Sequence, residues 1–174
     1  KGKRDYAILL LACRLGLRAG DIRTLKLDQL HWEDSTLEVT QSKTGNPLNL
    51  PLTSEVGAAL IDYLKSGRPQ TAHRDVFLKV NPPFGPFMEN SNLHHIVTYW
   101  RRLAGITFRT PRKRGLHSLR HTLATRLLEK GTPFTTIAGI LGHTSLESTR
   151  IYAKADVEAL RSVALDPEEV NHAQ

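Results

Sequence analysis

Apolar residues recur with helical spacing from the start of the chain. Tyr6, Leu9, Leu10, Cys13 and Leu17 share one side of a segment that runs from Arg4 to near Gly16, which predicts a largely buried helix. A short second helix is expected over residues 21–26, with Gly20 or Asp21 near its cap, so that Arg18 falls at a helix-to-helix turn. Alternation then replaces the helical period. His31-Trp32, residues 37–40 and residues 48–52 are separated by the polar turns Glu33-Asp34-Ser35 and Lys43-Thr44-Gly45-Asn46, a pattern that predicts three short antiparallel strands. Helical spacing returns over 54–64, between a Thr53 or Ser54 cap and Ser66-Gly67, and again over 90–103, with Leu93, Ile96, Val97 and Trp100 facing inwards. The Pro-rich residues 81–86 interrupt regular structure between these two helices. Four more helices are expected: from His117 to Lys130 before Gly131, from Thr132-Pro133 to Leu141-Gly142, from Ser145 to Tyr152, and from Asp156 to Val163. The fold class is therefore mainly α with a small three-stranded antiparallel β-sheet (α+β). One domain is expected over 1–165, followed by a loose tail over 166–174.

A chain of 174 residues, 40% hydrophobic and 24% charged, has enough apolar material for one packed core. Its 24 lysines and arginines outnumber 17 acidic residues, a net charge of +7, so a polyanion is the expected partner. Charge alone does not decide this, because small basic proteins without such a partner also exist. The single cysteine, Cys13, lies in an apolar run, which excludes an intrachain disulfide and points to a buried thiol and a cytoplasmic setting. That run is far shorter than the about 20 apolar residues needed to span a bilayer, and no export signal is visible. The opening Lys1-Gly2-Lys3-Arg4 lacks a methionine, so a further upstream domain is expected.

The candidate chemistry is concentrated in the last third. A helix turns about 100° per residue, which puts His117, Arg120 and His121 on one face with tips able to converge on one phosphate. Arginine presents a planar fork of donors, and an imidazole beside it can donate a hydrogen bond or exchange a proton near neutral pH. A capping histidine and a solvated arginine would give the same pattern, and the motif alone leaves both readings open. A zinc site is not expected, since no glutamate follows His117 in the metalloprotease manner and no cysteine cluster supplies further ligands. His143 follows Gly142 at a helix break, and Tyr152 comes nine positions later with Arg150 and Lys154 nearby. Such cationic neighbours are what a phenolate nucleophile requires. Tyr6, Tyr63 and Tyr99 fall within apolar helical patterns and are expected to pack.

Taken in order, Gly16-Leu17-Arg18-Ala19-Gly20-Asp21-Ile22, Lys43 in a hairpin turn, His117-Ser118-Leu119-Arg120-His121-Thr122, Leu141-Gly142-His143 and Tyr152 strongly resemble the tyrosine recombinases, or phage-type integrases. The likeness extends from Lys1 to about Val163. It implies the catalytic-domain fold of that family and six catalytic residues: Arg18, Lys43, His117, Arg120, His143 and Tyr152. Tyr152 would attack a scissile DNA phosphate to leave a 3'-phosphotyrosyl linkage and a free 5'-hydroxyl, with Arg18 and Arg120 on the non-bridging oxygens. Lys43 would protonate the leaving oxygen, His117 would assist proton transfer, and His143 would donate a hydrogen bond to the phosphate. Asp21 and His121 would orient these groups. The bond energy stays in the ester, so neither a metal nor ATP nor any other cofactor is implied.

Double-stranded DNA is the implied partner. The basic run Arg112-Lys113-Arg114, with Gln41, Ser42 and Thr44 around Lys43, is expected to touch backbone phosphates. The family resemblance also implies a homotetramer on paired sites, with Val157-Glu158-Ala159-Leu160 available to dock on a neighbouring protomer, and an upstream DNA-clamping domain outside these residues. Two other functions remain open on sequence grounds: a non-cleaving DNA-binding module of the same fold, and a type IB topoisomerase-like enzyme that relaxes DNA without exchanging partners.

Overall fold

The structure of the protein, a computed structural model, describes residues 1–43, 45–91, 93–107 and 115–142. The helices expected over 145–152 and 156–163 and the tail over 166–174 lie outside the described residues. Helix α1 (Gly2–Arg14) packs against both α3 (Ser54–Ser66) and α5 (Leu116–Glu129). Its apolar side is fully enclosed: Ala7, Ile8, Leu11 and Ala12 have no exposed surface. Burying a side chain such as Ile8 or Leu11 contributes roughly 1.5–3 kcal/mol. Asp5 in the first turn and Arg14 in the last complement the helix dipole.

Charge enters this core as well. Arg4 and Asp5 are both buried, and Asp5 Oδ1 accepts from Arg4 Nη2 at 2.6 Å and from Nε at 2.9 Å. Arg4 Nη1 also donates to the Leu78 carbonyl at 3.0 Å, while Trp100 Nε1 donates to Asp5 Oδ2 at 3.0 Å. A buried pair needs such partners to offset the loss of hydration. The network ties α1 to α4 (His94–Leu103) and to the segment around Leu78.

Helix α2 (Ala19–Thr24) begins two residues earlier than expected, with Arg18 as its N-cap residue in extended geometry. A single 3-10 turn then leads into a three-stranded antiparallel sheet of β1 (Leu30–His31), β2 (Thr36–Thr40) and β3 (Pro47–Pro51), in the order β1-β2-β3. The register pairs Leu37 with Leu30 on one side and Leu50 on the other, so one apolar face meets the core. Trp32 belongs to the turn rather than to β1 and is largely exposed. Thr53 caps α3 by accepting from the Val56 amide, and Gly67 follows its end. Helix α6 (Phe134–Leu141) packs on α5 through a separate small cluster of Ala124, Ile137 and Leu141. Of the three tyrosines expected to pack, only Tyr63 is buried, stacked on Phe77; Tyr6 and Tyr99 are about half exposed, on the outer sides of α1 and α4. Leu93 is buried as expected, but it precedes α4 instead of lying within it.

Candidate phosphate-binding site

Four chain segments meet around a cavity of about 530 Å³: the N-terminus of α2, the β2–β3 turn, the N-terminus of α4 and the N-terminus of α5. Arg18, Ser42, Lys43, His94, His117 and Arg120 are among its lining residues. Four of the six residues expected to be catalytic, far apart in sequence, thus share one wall. His143 and Tyr152 lie outside the described residues, as do Thr44, Arg112, Lys113 and Arg114.

Arg18 is directed by its place at the start of α2. Its side chain is 22% exposed, and its Nη1 stands 4.0 Å from Asp21 Oδ2. This buried Nη1 has no hydrogen-bond partner among the described residues. A buried guanidinium donor is costly to leave unpaired, so a site that keeps one open is suited to an acceptor brought by a ligand. Asp21 is 1% exposed and fixes two segments at once. Its Oδ2 accepts from the Arg18 amide at 3.4 Å, and its Oδ1 accepts from the amide and hydroxyl of Ser42 at 2.9 and 2.8 Å. The turn is closed by the Gln41 amide donating to the Asn46 carbonyl at 2.9 Å and the Gly45 amide donating to the Gln41 carbonyl at 2.8 Å. Lys43 projects from this turn as an exposed side chain at the cavity.

Arg120 is anchored from behind. Only 3% of it is exposed, and its Nη1 and Nη2 donate to the carbonyls of Gly16 and Leu141 at 2.5 and 2.6 Å. Such short, charge-assisted bonds fix the plane of the guanidinium. Both carbonyls sit beside glycines that the geometry requires. Gly16 has φ +65°, and a Cβ there would lie 2.6 Å from Leu141 Cδ2. Gly142 has φ +60°, and a Cβ there would overlap the Gln41 amide group. Left-handed backbone and the close side-chain ends make any other residue strained at both positions. Gln41 corrects the sequence reading: it is buried and donates to the Leu141 carbonyl at 3.2 Å, so it braces the Arg120 anchor instead of reaching for DNA.

His117 and His121 meet through their Nε2 atoms at 2.9 Å, with the rings edge to face. One nitrogen must donate and the other accept, so the pair shares a single proton along this line. Arg18, Lys43 and Arg120 make the cavity strongly cationic, with Asp21 as the carboxylate tied into it. Among the described residues no group of three histidine, cysteine, aspartate or glutamate side chains is placed to hold a metal ion. The sequence reading missed His94 altogether, because nothing in its spacing links α4 to the motifs at Arg18 and His117.

Residues 1–159 fit the model of the phage integrase family. The chain belongs to that family. The integrase/recombinase y4gC of Sinorhizobium fredii is 41% identical over 165 residues, covering 95% of this chain and 83% of that protein. A tyrosine recombinase of Pseudothermotoga lettingae is 30% identical over 87% of this chain but only 50% of its own length. The crystal structure of XerA recombinase matches 92% of this chain and 57% of that one, with a TM-score of 0.74 and 29% identity. The mostly helical fold with a three-stranded antiparallel sheet is thus that of the phage integrase catalytic domains. This chain spans 50% of the Pseudothermotoga lettingae protein and 57% of the XerA chain. Among the described residues no helix is long and apolar enough to cross a membrane.

Proposed function

We propose that this chain is the catalytic part of a site-specific DNA recombinase that breaks and rejoins strands through a 3'-phosphotyrosyl intermediate. The observation that carries the reading is the convergence of Arg18, Lys43, His117 and Arg120 on one cavity, where Arg18 Nη1 has no hydrogen-bond partner among the described residues. In this reading the scissile phosphate sits between the two arginines, where negative charge on its non-bridging oxygens grows in the transition state. The Tyr152 oxygen attacks phosphorus, a P–O bond to the tyrosine forms, and the P–O5' bond breaks. His117 takes up the phenol proton, and Lys43 supplies a proton to the leaving 5'-oxygen. His143 donates a further hydrogen bond to the phosphate. The released 5'-hydroxyl, or that of a partner strand, reverses the step, so no ATP and no metal enter the balance.

Asp21 holds Arg18 and the Lys43 turn in register, and His121 orients His117 by sharing its proton. Thr44, Arg112, Lys113 and Arg114 supply contacts to backbone phosphates. A tetramer on two paired sites, acting on chromosomal or mobile DNA in the cytoplasm, completes the proposal. The test is covalent trapping on nicked duplexes enriched from a random-sequence pool for binding to the protein. A covalent protein–DNA band that is lost in Tyr152→Phe supports strand cleavage by Tyr152. Tight binding with no band favours a non-cleaving module, and relaxation of plasmid without strand exchange favours a topoisomerase.

A further inference from the structure

The wall of the cavity includes one histidine that none of the motifs supplies. His94 is the first residue of α4, is exposed, and lines the same space as Arg18, Lys43, His117 and Arg120. Three features hold it there. Leu93 just before it is fully buried yet adopts a left-handed conformation, φ 54° and ψ 9°, which non-glycine residues avoid unless their surroundings enforce it. Arg23 of α2 donates from Nη1 to the Ser91 carbonyl at 3.1 Å, which ties the helix that begins at Arg18 to the segment leading into α4. Finally, the imidazole lies against the backbone that leads to His117: a Cβ on Gly115 would stand 3.2 Å from His94 Nδ1.

We infer that His94 is a further DNA-contacting residue of this site, donating a hydrogen bond to a backbone phosphate next to the one held by Arg18 and Arg120. This inference rests on the proposed reading of the cavity as the seat of a DNA phosphate. Successive phosphates of one strand are only about 3.4 Å apart along the helix axis, so a cleft that seats one phosphate presents its walls to the next. The cavity, at about 530 Å³, has room for more than a single phosphate. Arg18, Lys43, His117 and Arg120 are all engaged at the reacting group in that reading, which leaves His94 facing the neighbouring unit of the strand. An imidazole there contributes position and binding and takes no part in bond making.

The test is a cycle between protein and DNA. Nicked duplexes selected from a random pool carry a neutral methylphosphonate at one phosphate at a time on either side of the cleavage point, and are given to wild type, His94→Ala and His94→Gln. The expected result is one neighbouring position at which neutralisation lowers the wild-type cleavage rate by roughly 10- to 100-fold, the loss typical of a hydrogen bond to a charged group. His94→Ala shows a similar loss on unmodified DNA and no further loss at that position, whereas all other positions remain additive. His94→Gln keeps part of the activity, and all three proteins melt at the same temperature because the side chain is exposed. Additive losses at every position, or an unchanged rate for His94→Ala, would overturn the assignment. The same cycle read as Kd separates the two readings: non-additivity at one phosphate without any covalent product keeps the contact and removes the cleavage chemistry.

Discussion

Asp21 and Ser42 are joined by two hydrogen bonds to one carboxylate oxygen, 2.9 Å from the Ser42 amide and 2.8 Å from its hydroxyl. The pair connects the helix that starts at Arg18 to the turn that carries Lys43. Two cationic groups on different secondary structures are thereby held at one cavity by a single buried acid. Asp21→Ala is expected to cost about 1–3 kcal/mol of stability, since it strips partners from donors around a buried site. It also releases the turn, so cleavage falls further than stability alone requires. Ser42→Ala removes one of the two bonds and costs about 0.5–1.5 kcal/mol. Urea denaturation beside single-turnover cleavage checks both.

Gly142→Ala strikes the anchor of Arg120. The new Cβ meets the Gln41 amide at a left-handed φ, and the Leu141 carbonyl that holds Arg120 is in the adjacent residue. A loss of about 1–3 kcal/mol is expected from the backbone strain alone. Gly57→Ala in α3 is the contrasting change: among the described residues nothing lies within 4 Å of its Cβ position. It should stabilise the protein by about 0.5–1 kcal/mol. Thermal melts of the two variants are expected to move in opposite directions.

Asp5→Ala leaves the buried Arg4 guanidinium without its carboxylate and Trp100 Nε1 without an acceptor. Breaking a buried pair from one side costs about 3–5 kcal/mol. The expected outcome is a large drop in the urea midpoint, with Arg4→Met and Asp5→Leu together less harmful than either change alone.

Cys13 offers a pH-dependent readout. Burial pushes its thiol pKa up, partly countered by Arg14 and Arg126. Because the folded value exceeds the unfolded one, the group contributes its full stability below the unfolded thiol pKa of about 8.5 and loses that contribution as pH rises through the folded value. At pH 8 the native thiol should therefore react with Ellman's reagent more slowly than the same protein in urea. Equal rates would show an accessible, unperturbed thiol.

Much of this was legible in the sequence wherever a rule is local. Helical spacing located α1, α3, α4, α5 and α6, and polar turns delimited the three strands, because periodicity and turn chemistry act over a few residues. The motif order singled out Arg18, Lys43, His117 and Arg120, and the fold places these four around one cavity. What escaped depends on contacts across the chain. Gln41 reads as a surface amide, yet it turns inwards because the Leu141 carbonyl, a hundred residues away, accepts from it. Arg4 and Asp5 read as the polar start of a helix, but the Leu78 carbonyl and Trp100 allow them to be buried. Tyr6 and Tyr99 fit an apolar period and still face outwards, since a period gives a face without saying what covers it. His94 belongs to the cavity only because the start of α4 lies against Gly115, which no spacing encodes.

The central claim is that Arg18 and Arg120 stabilise a phosphate in its transition state, and the most direct measurement is the rate of covalent complex formation by Arg18→Ala and Arg120→Ala on a nicked duplex, compared with their Kd for the same DNA. The account predicts a fall of roughly 100- to 1,000-fold in rate for each variant. Kd should change far less, because many other phosphate contacts hold the duplex. Rates close to wild type, or losses of rate that merely follow losses of binding, would contradict it.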